Sequence, residues 1–145
     1  MNISDILRHK ESGGAGAIVS INPDESVRTL LAQLAEHNVG ALLVLDGERV
    51  AGIVSERDVV RRIAERDAAL LDARVDEIMT TSVVSCSSGD SLDTIAETMT
   101  ERRIRHMPVI DDGKLVGIIS IGDVVSARMR QLEKDRGQLE QYITS

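Results

Sequence analysis

Residues 52–60 read GIVSERDVV, and residues 117–125 read GIISIGDVV. Around this pair, the stretch 39–60 aligns without a gap with 104–125, at an offset of 65 residues. The identical positions are Val44/Val109, Asp46/Asp111, Gly52/Gly117, Ile53/Ile118, Ser55/Ser120, Asp58/Asp123, Val59/Val124 and Val60/Val125. A half-buried unit of this size usually needs a partner to close its core, so the sequence predicts two copies of one supersecondary unit.

Each copy is predicted to have the order strand, helix, strand, strand, helix. A short first strand is expected at 17–21 and again at 83–86. Ser26 or Ser91 then stands at an N-cap position, with apolar residues at helical spacing behind it. Two apolar runs joined by a charged turn follow, which predicts a hairpin with both faces largely covered. A second helix begins after the serine of the repeated motif.

Short leading segments precede the copies at 3–7 and 75–79, at an offset of 72 residues. The first copy therefore carries seven extra residues, in the glycine-rich stretch 10–16, which predicts a mobile or sharply turned loop. This loop lacks the Gly-Lys-Ser/Thr of a Walker sequence. Beyond Val125, near-heptad apolar spacing interrupted at 136–137 favours a helix packed on its own domain or on a second subunit.

Bulk composition narrows the class of protein. The chain has 145 residues, is 42% hydrophobic and carries a formal net charge of -7, which fits one compact domain or two small halves that share a core. The acidic balance argues against nucleic-acid binding, and Tyr142 is the only aromatic residue that could stack on a base. No apolar run is long enough for a membrane span, no secretory signal is recognised and Cys86 is the single cysteine, so we expect a cytoplasmic protein.

The repeated serine and aspartate, three residues apart at a helix start, have two interpretations. In the first, they form a capping box that satisfies unpaired backbone N–H groups. In the second, Asp58 and Asp123 accept hydrogen bonds from a ribose diol, one hydroxyl on each carboxylate oxygen, while Ser55, Ser120 and the helix ends face a phosphate. Spacing alone does not decide between them.

The duplicated unit with its G-h-h-S-x-x-D motif (h, apolar) resembles a pair of CBS domains, also called a Bateman module, over nearly the whole chain. Small stand-alone bacterial members of that family are similar to it in length. The resemblance implies an α/β (α+β) fold in which two CBS repeats pack sheet to sheet about a pseudo-twofold axis. It gives domains at 1–66 and 67–128, followed by a C-terminal helical extension at 129–145.

The resemblance also implies a function. CBS pairs commonly bind adenosyl ligands such as AMP, ADP, ATP, NAD(H) or S-adenosylmethionine in two clefts between the repeats. We therefore expect a non-catalytic adenine-nucleotide sensor, for instance of energy state, that forms a homodimer and regulates a protein target. The alternative is an interaction or scaffold module whose clefts are vestigial, because a fold does not fix a function.

Carried over position by position, the resemblance assigns residues to two clefts. The first cleft would be formed by Ala17, Ile18, Val39, Gly40, Ala41, Arg105, His106, Ser120 and Asp123. The second would be formed by Asn38, Ser55, Arg57, Asp58, Thr80, Ser82, Val83, Met107 and Pro108. Arg105 and a protonated His106 would favour a phosphate in the first cleft, although an exposed basic pair at a helix–strand junction is the alternative. Lys10 is a further candidate phosphate contact.

An enzyme is the less favoured class. The three histidines and Cys86 have no recognisable metal-ligand spacing, and neither a G-x-S-x-G elbow nor an H-E-x-x-H motif occurs. A single thiol on a predicted buried strand is more often an inert core residue than a nucleophile. We therefore expect no catalytic residues and no metal.

Overall fold

A computed structural model describes residues 1–12 and 19–144 of the chain. The loop predicted at 10–16 is wrong for residues 10–12, which are helical, while residues 13–16 and the candidate residues Ala17 and Ile18 lie outside the described part. The elements in chain order are α1 (Ile3–Ser12), β1 (Ser20–Ile21), α2 (Val27–His37), β2 (Ala41–Asp46), β3 (Arg49–Ser55), α3 (Glu56–Arg66), a 3-10 helix (Asp67–Asp72), α4 (Val75–Ile78), α5 (Leu92–Arg102), β4 (His106–Asp111), β5 (Lys114–Ser120) and α6 (Ile121–Thr144).

Both predicted hairpins are confirmed. β2 pairs antiparallel with β3, and β4 pairs antiparallel with β5, each with a register shift in the middle. Gly47 (φ 67°) and Gly113 (φ 77°) take the left-handed conformation that these tight turns require. β2 and β4 are buried over successive residues, whereas β3 and β5 alternate, so only the first strand of each hairpin has both faces covered.

The predicted N-caps are also confirmed. Ser26 Oγ accepts a hydrogen bond from the Thr29 amide at 3.1 Å, and Ser91 Oγ accepts one from the Thr94 amide at 3.2 Å. Each bond satisfies an amide that the first helical turn leaves unpaired. α2 and α5 therefore begin at equivalent places in the two copies.

The predicted first strand of the second copy, 83–86, is wrong. β1 pairs in parallel with β2 over two residues, but at the equivalent place the second copy has a single bridge between Cys86 and Val109. Extending this bridge towards Val84 would need an amide hydrogen from residue 108, which is Pro108 and has none. The first copy has Leu43 at that position, so its ladder can extend.

The chain divides into two compact units that exchange their leading segments. The first, which we call the split unit, contains Met1–Ala17 and Ser85–Ser145, and the second, the continuous unit, contains Ile18–Val84. In the split unit the Leu92 amide donates to the Met1 carbonyl at 3.1 Å, and in the continuous unit the Val75 amide donates to Glu25 at 2.8 Å. Each leading segment thus packs with the core of the other copy, and the domain bounds 1–66, 67–128 and 129–145 stay predictions.

Apolar side chains fill the core of each unit. The continuous unit buries residues from α2, β2, β3, α3, the 3-10 helix and α4: Val27, Leu30, Leu34, Leu42, Val44, Val54, Val59, Leu70, Val75 and Ile78, with Ile21 from β1. The split unit buries Ile3, Ile6, Leu92, Ile95, Met99, Met107, Val109, Ile119, Val124 and Ala127. Equivalent positions of the repeat, such as Val59 and Val124, therefore serve equivalent cores.

α6 (Ile121–Thr144) is one uninterrupted helix that includes the last helix of the second copy and the described residues of the extension predicted at 129–145. It passes through Gly137 without a break. Val124 and Ala127 in its first turns are buried, but large apolar side chains further along are exposed. Among the described residues, no helix is long and apolar enough to cross a membrane.

Cys86 behaves as a core residue. Its side chain is buried, and burial, followed by the nearby carboxylates of Asp90 and Asp111, raises the pKa of its thiol from 9.0 to about 11. The thiol is therefore protonated near neutral pH, which leaves little of the thiolate form that a nucleophile needs.

This shift predicts a difference in alkaline stability. Because the folded-state pKa of Cys86 is raised, its contribution is fully present below about pH 9 and is lost as the pH rises through 11. The melting temperature of the wild type should therefore fall more steeply across this window than that of Cys86→Ala, measured by circular dichroism. All other ionisable groups are the same in both proteins, so only the difference between the two slopes counts, and parallel slopes would contradict the assignment.

Candidate functional site

The repeated serine and aspartate form the same structure in both copies, at the junction of a hairpin strand with the following helix. The Ser55 amide donates to Asp58 Oδ2 at 2.8 Å, and the Asp58 amide donates to Ser55 Oγ at 3.3 Å. The corresponding distances between Ser120 and Asp123 are 2.8 and 3.1 Å. The capping-box interpretation of the motif is therefore confirmed.

The cap leaves one oxygen of each carboxylate available. Asp58 Oδ2 accepts from both the amide and, at 3.1 Å, the hydroxyl of Ser55. Asp123 Oδ2 accepts from the Ser120 amide and from Lys10. Within the described part of the chain, no group donates to the Oδ1 atom of either aspartate. The interpretation that each carboxylate also accepts hydrogen bonds from a ribose diol stays a prediction, and Oδ1 is the oxygen that the cap leaves for it.

The split unit brings five candidate residues together. His106 at the start of β4 pairs with Ser120 at the end of β5, and the Ile121 amide donates to the Arg105 carbonyl at 2.8 Å. Lys10 reaches the same place from α1, where its Nζ donates to Asp123 Oδ2 at 2.9 Å and to the Ile118 carbonyl at 2.8 Å. We call the group Lys10, Arg105, His106, Ser120 and Asp123 the split-unit site.

The continuous unit forms the equivalent arrangement. Ala41 at the start of β2 pairs with Ser55, and the Glu56 amide donates to the Gly40 carbonyl at 3.0 Å. Thr80 lies alongside β3, where it exchanges two backbone hydrogen bonds with Ile53 at 2.8 and 3.0 Å. We call the group Gly40, Ala41, Ser55, Asp58 and Thr80 the continuous-unit site.

The other candidates fall into three groups. Asn38, Val39, Arg57, Ser82 and Val83 belong to the continuous unit, and Asn38 ends α2 in the left-handed conformation (φ 52°). Met107 and Pro108 belong to the split unit, where both are buried. Ala17 and Ile18 form the third group and lie outside the described residues. The two clefts that would combine residues of both units stay predictions.

Sequence reasoning missed the ion pair between Lys10 and Asp123, whose side chains are 18% and 21% exposed. The offset of 72 residues between the leading segments could have indicated it. That offset aligns Lys10 with Ser82, which was itself a candidate for the second cleft. Lys10 therefore has an equivalent position in the other copy, but not an equivalent charge.

The repeated motif is matched by a known family. A model of the CBS domain matches residues 15–65 and again residues 75–130. The chain belongs to the CBS domain family. Two CBS repeats thus account for the two caps and the two hairpins, as the sequence predicted.

Individual CBS proteins resemble this chain over most of its length. CBSX3, a mitochondrial CBS domain-containing protein of Arabidopsis thaliana, is 32% identical over 97% of this chain and 71% of its own. The crystal structure of ATU1752 from Agrobacterium tumefaciens is 40% identical, with 88% and 99% coverage and a TM-score of 0.83. The CBS domain pair of MJ0100, solved in complex with 5′-methylthioadenosine and S-adenosyl-L-methionine, is 22% identical, with 90% and 98% coverage and a TM-score of 0.77.

Proposed function

We propose that this CBS pair is a non-catalytic regulatory module that binds an adenosyl ligand, such as AMP, ADP, ATP, NAD(H) or S-adenosylmethionine. The observation that carries the proposal is that no described residue donates to Oδ1 of Asp58 or of Asp123, while the capping box holds each carboxylate at a fixed place. A ribose hydroxyl is a suitable donor for such an oxygen. MJ0100 shares only the fold with this chain at its level of identity, and it supports the proposal by holding two adenosyl ligands itself.

The phosphate of a nucleotide would bind beside Asp123. Arg105 lies next to Ser120 there, and its planar guanidinium can donate two hydrogen bonds to one anion. His106 adds positive charge when it is protonated. A ligand that binds one of two arrangements of the protein more tightly would shift their populations. Such a shift is how the module would regulate a protein target.

Calorimetric titration with AMP and adenosine tests the proposal. Asp123→Asn and Asp58→Asn keep an oxygen that can accept the cap hydrogen bond, but each places an amide donor where the diol needs an acceptor. We expect each variant to lose a binding event or to weaken it about tenfold or more, since an unsatisfied polar group costs ~1–3 kcal/mol. Asp112→Asn, in an exposed hairpin turn, is the matched control. Unchanged binding in both test variants would reject the ribose assignment.

We also propose that the protein is a homodimer, paired through α6. Val125, Met129, Leu132, Leu139 and Ile143 repeat at alternating spacings of four and three residues once Arg136 is counted, and each is 52% exposed or more. A second copy offers the same stripe at the same spacing, as helix pairing requires.

The proposed location is the cytoplasm, supported by a single cysteine that can form no intrachain disulfide.

A further inference from the structure

The two sites differ in the second hydrogen-bond donor to the Oδ2 atom of the aspartate, the oxygen that also accepts the cap amide. In the continuous unit this donor is neutral, because the Ser55 hydroxyl lies 3.1 Å from Asp58 Oδ2. In the split unit it is the ammonium group of Lys10, at 2.9 Å from Asp123 Oδ2. The carboxylate of Asp123 is thus paired with a partly buried cation, whereas no ion pair joins a cation to the carboxylate of Asp58 among the described residues.

Lys10 has bonding capacity left. An ammonium group carries three N–H donors, and two of them go to Asp123 and to the Ile118 carbonyl. None of the described residues accepts the third, so it can be donated to an anion that approaches the same carboxylate. An incoming phosphate can therefore bind Lys10 without breaking its bond to Asp123.

The charge at matched positions has opposite sign in the two sites. The matched pairs are Lys10/Ser82, Arg105/Gly40, His106/Ala41, Ser120/Ser55, Ile121/Glu56, Gly122/Arg57 and Asp123/Asp58. With histidine neutral, the split-unit positions sum to one net positive charge and the continuous-unit positions to one net negative charge. The first environment attracts a phosphate and the second repels it.

We propose that the two sites take ligands of different charge, and that Lys10 determines this specificity. The split-unit site binds a phosphorylated adenosyl ligand, with Lys10 bridging Asp123 and the phosphate. The continuous-unit site favours an uncharged or cationic adenosyl compound. This inference rests on the proposed function and adds to it which class of ligand each site selects.

Substitutions at the matched pair Lys10 and Ser82 test the inference, with AMP and adenosine as probes in calorimetry. Lys10→Met keeps most of the aliphatic side chain and removes the charge. It should weaken AMP by about tenfold or more, the scale of a lost charge-assisted hydrogen bond, and change adenosine affinity by less than about threefold. Ser82→Lys should strengthen AMP binding at the continuous-unit site. Lys114→Met, at the opposite end of β5, removes the same charge elsewhere and should leave both affinities unchanged.

The outcomes separate the two proposals. If neither probe binds the wild type, the proposed function itself fails. If both probes bind and Lys10→Met weakens them equally, adenosyl binding stands and the charge selection is overturned. Should Lys10→Met not fold, Lys10→Arg retains the cation and must keep the preference for AMP. The AMP affinity of the wild type must also fall with added salt more than the adenosine affinity, and equal salt dependence would contradict the inference.

Discussion

Gly52→Ala is expected to lower the free energy of unfolding by about 2–3 kcal/mol, the upper range for overpacking a filled site. A Cβ at this position would lie 2.7 Å from the Thr80 carbonyl oxygen and 2.8 Å from Met79 Sδ. The carbonyl has little freedom to move, because it accepts the Ile53 amide at 3.0 Å. Urea unfolding followed by circular dichroism gives the value, provided that the slope against urea is unchanged.

Gly117→Ala provides the matched comparison within the same molecule. The added Cβ would lie 2.6 Å from Leu7 Cδ2, which is the end of a flexible side chain, and its other near contacts begin at 3.5 Å. Leu7 can change its rotamer to accommodate the methyl group, so we expect a loss of about 1 kcal/mol or less. Equal losses in the two variants would show that the difference between a backbone and a side-chain neighbour has no effect here.

Leu132→Glu and Leu139→Glu are expected to convert the proposed dimer into monomers. Each leucine is at least 60% exposed in the single chain, and its burial against a second copy would contribute ~1.5–3 kcal/mol in each subunit. Two such losses per dimer would weaken association by about a hundredfold or more. Light scattering should give twice 15.8 kDa for the wild type and 15.8 kDa for the variants.

Gln138→Glu controls for the added charge, because residue 138 is exposed on α6 but lies outside the apolar stripe. This variant should remain dimeric. A wild-type protein that is monomeric at high concentration, or glutamate variants that stay dimeric, would refute pairing through α6. Nucleotide binding by the monomeric variants would be a separate result, since the split-unit site lies at the other end of the helix from Leu139.

The elements that depend on local chemistry could be predicted from the sequence. Ser26 and Ser91 cap their helices, and Gly47 and Gly113 turn their hairpins, through interactions within a few residues. Both interpretations of the repeated aspartate also rest on local sequence, namely a serine and an aspartate three residues apart at the start of a helix. Spacing was compatible with a capping box and with a ribose site alike, so the coordinates were needed to establish the cap and to show which carboxylate oxygen it uses.

The features that the sequence did not predict depend on residues far apart in the chain. The missing strand before Cys86 follows from Pro108, which lies on a different strand. The 3-10 helix Asp67–Asp72, for which the sequence analysis predicted no element, buries Leu70 completely. The Lys10–Asp123 pair spans more than a hundred residues. Spacing within one segment carries no information about such pairings.

The exchanged leading segments determine what a single repeat would lack if it were cut out of the chain. Its core would be without the leading segment that the other repeat supplies, so two separate repeats could complete one another only by domain swapping. Joining both repeats in one chain makes the exchange intramolecular and raises the effective concentration of each leading segment.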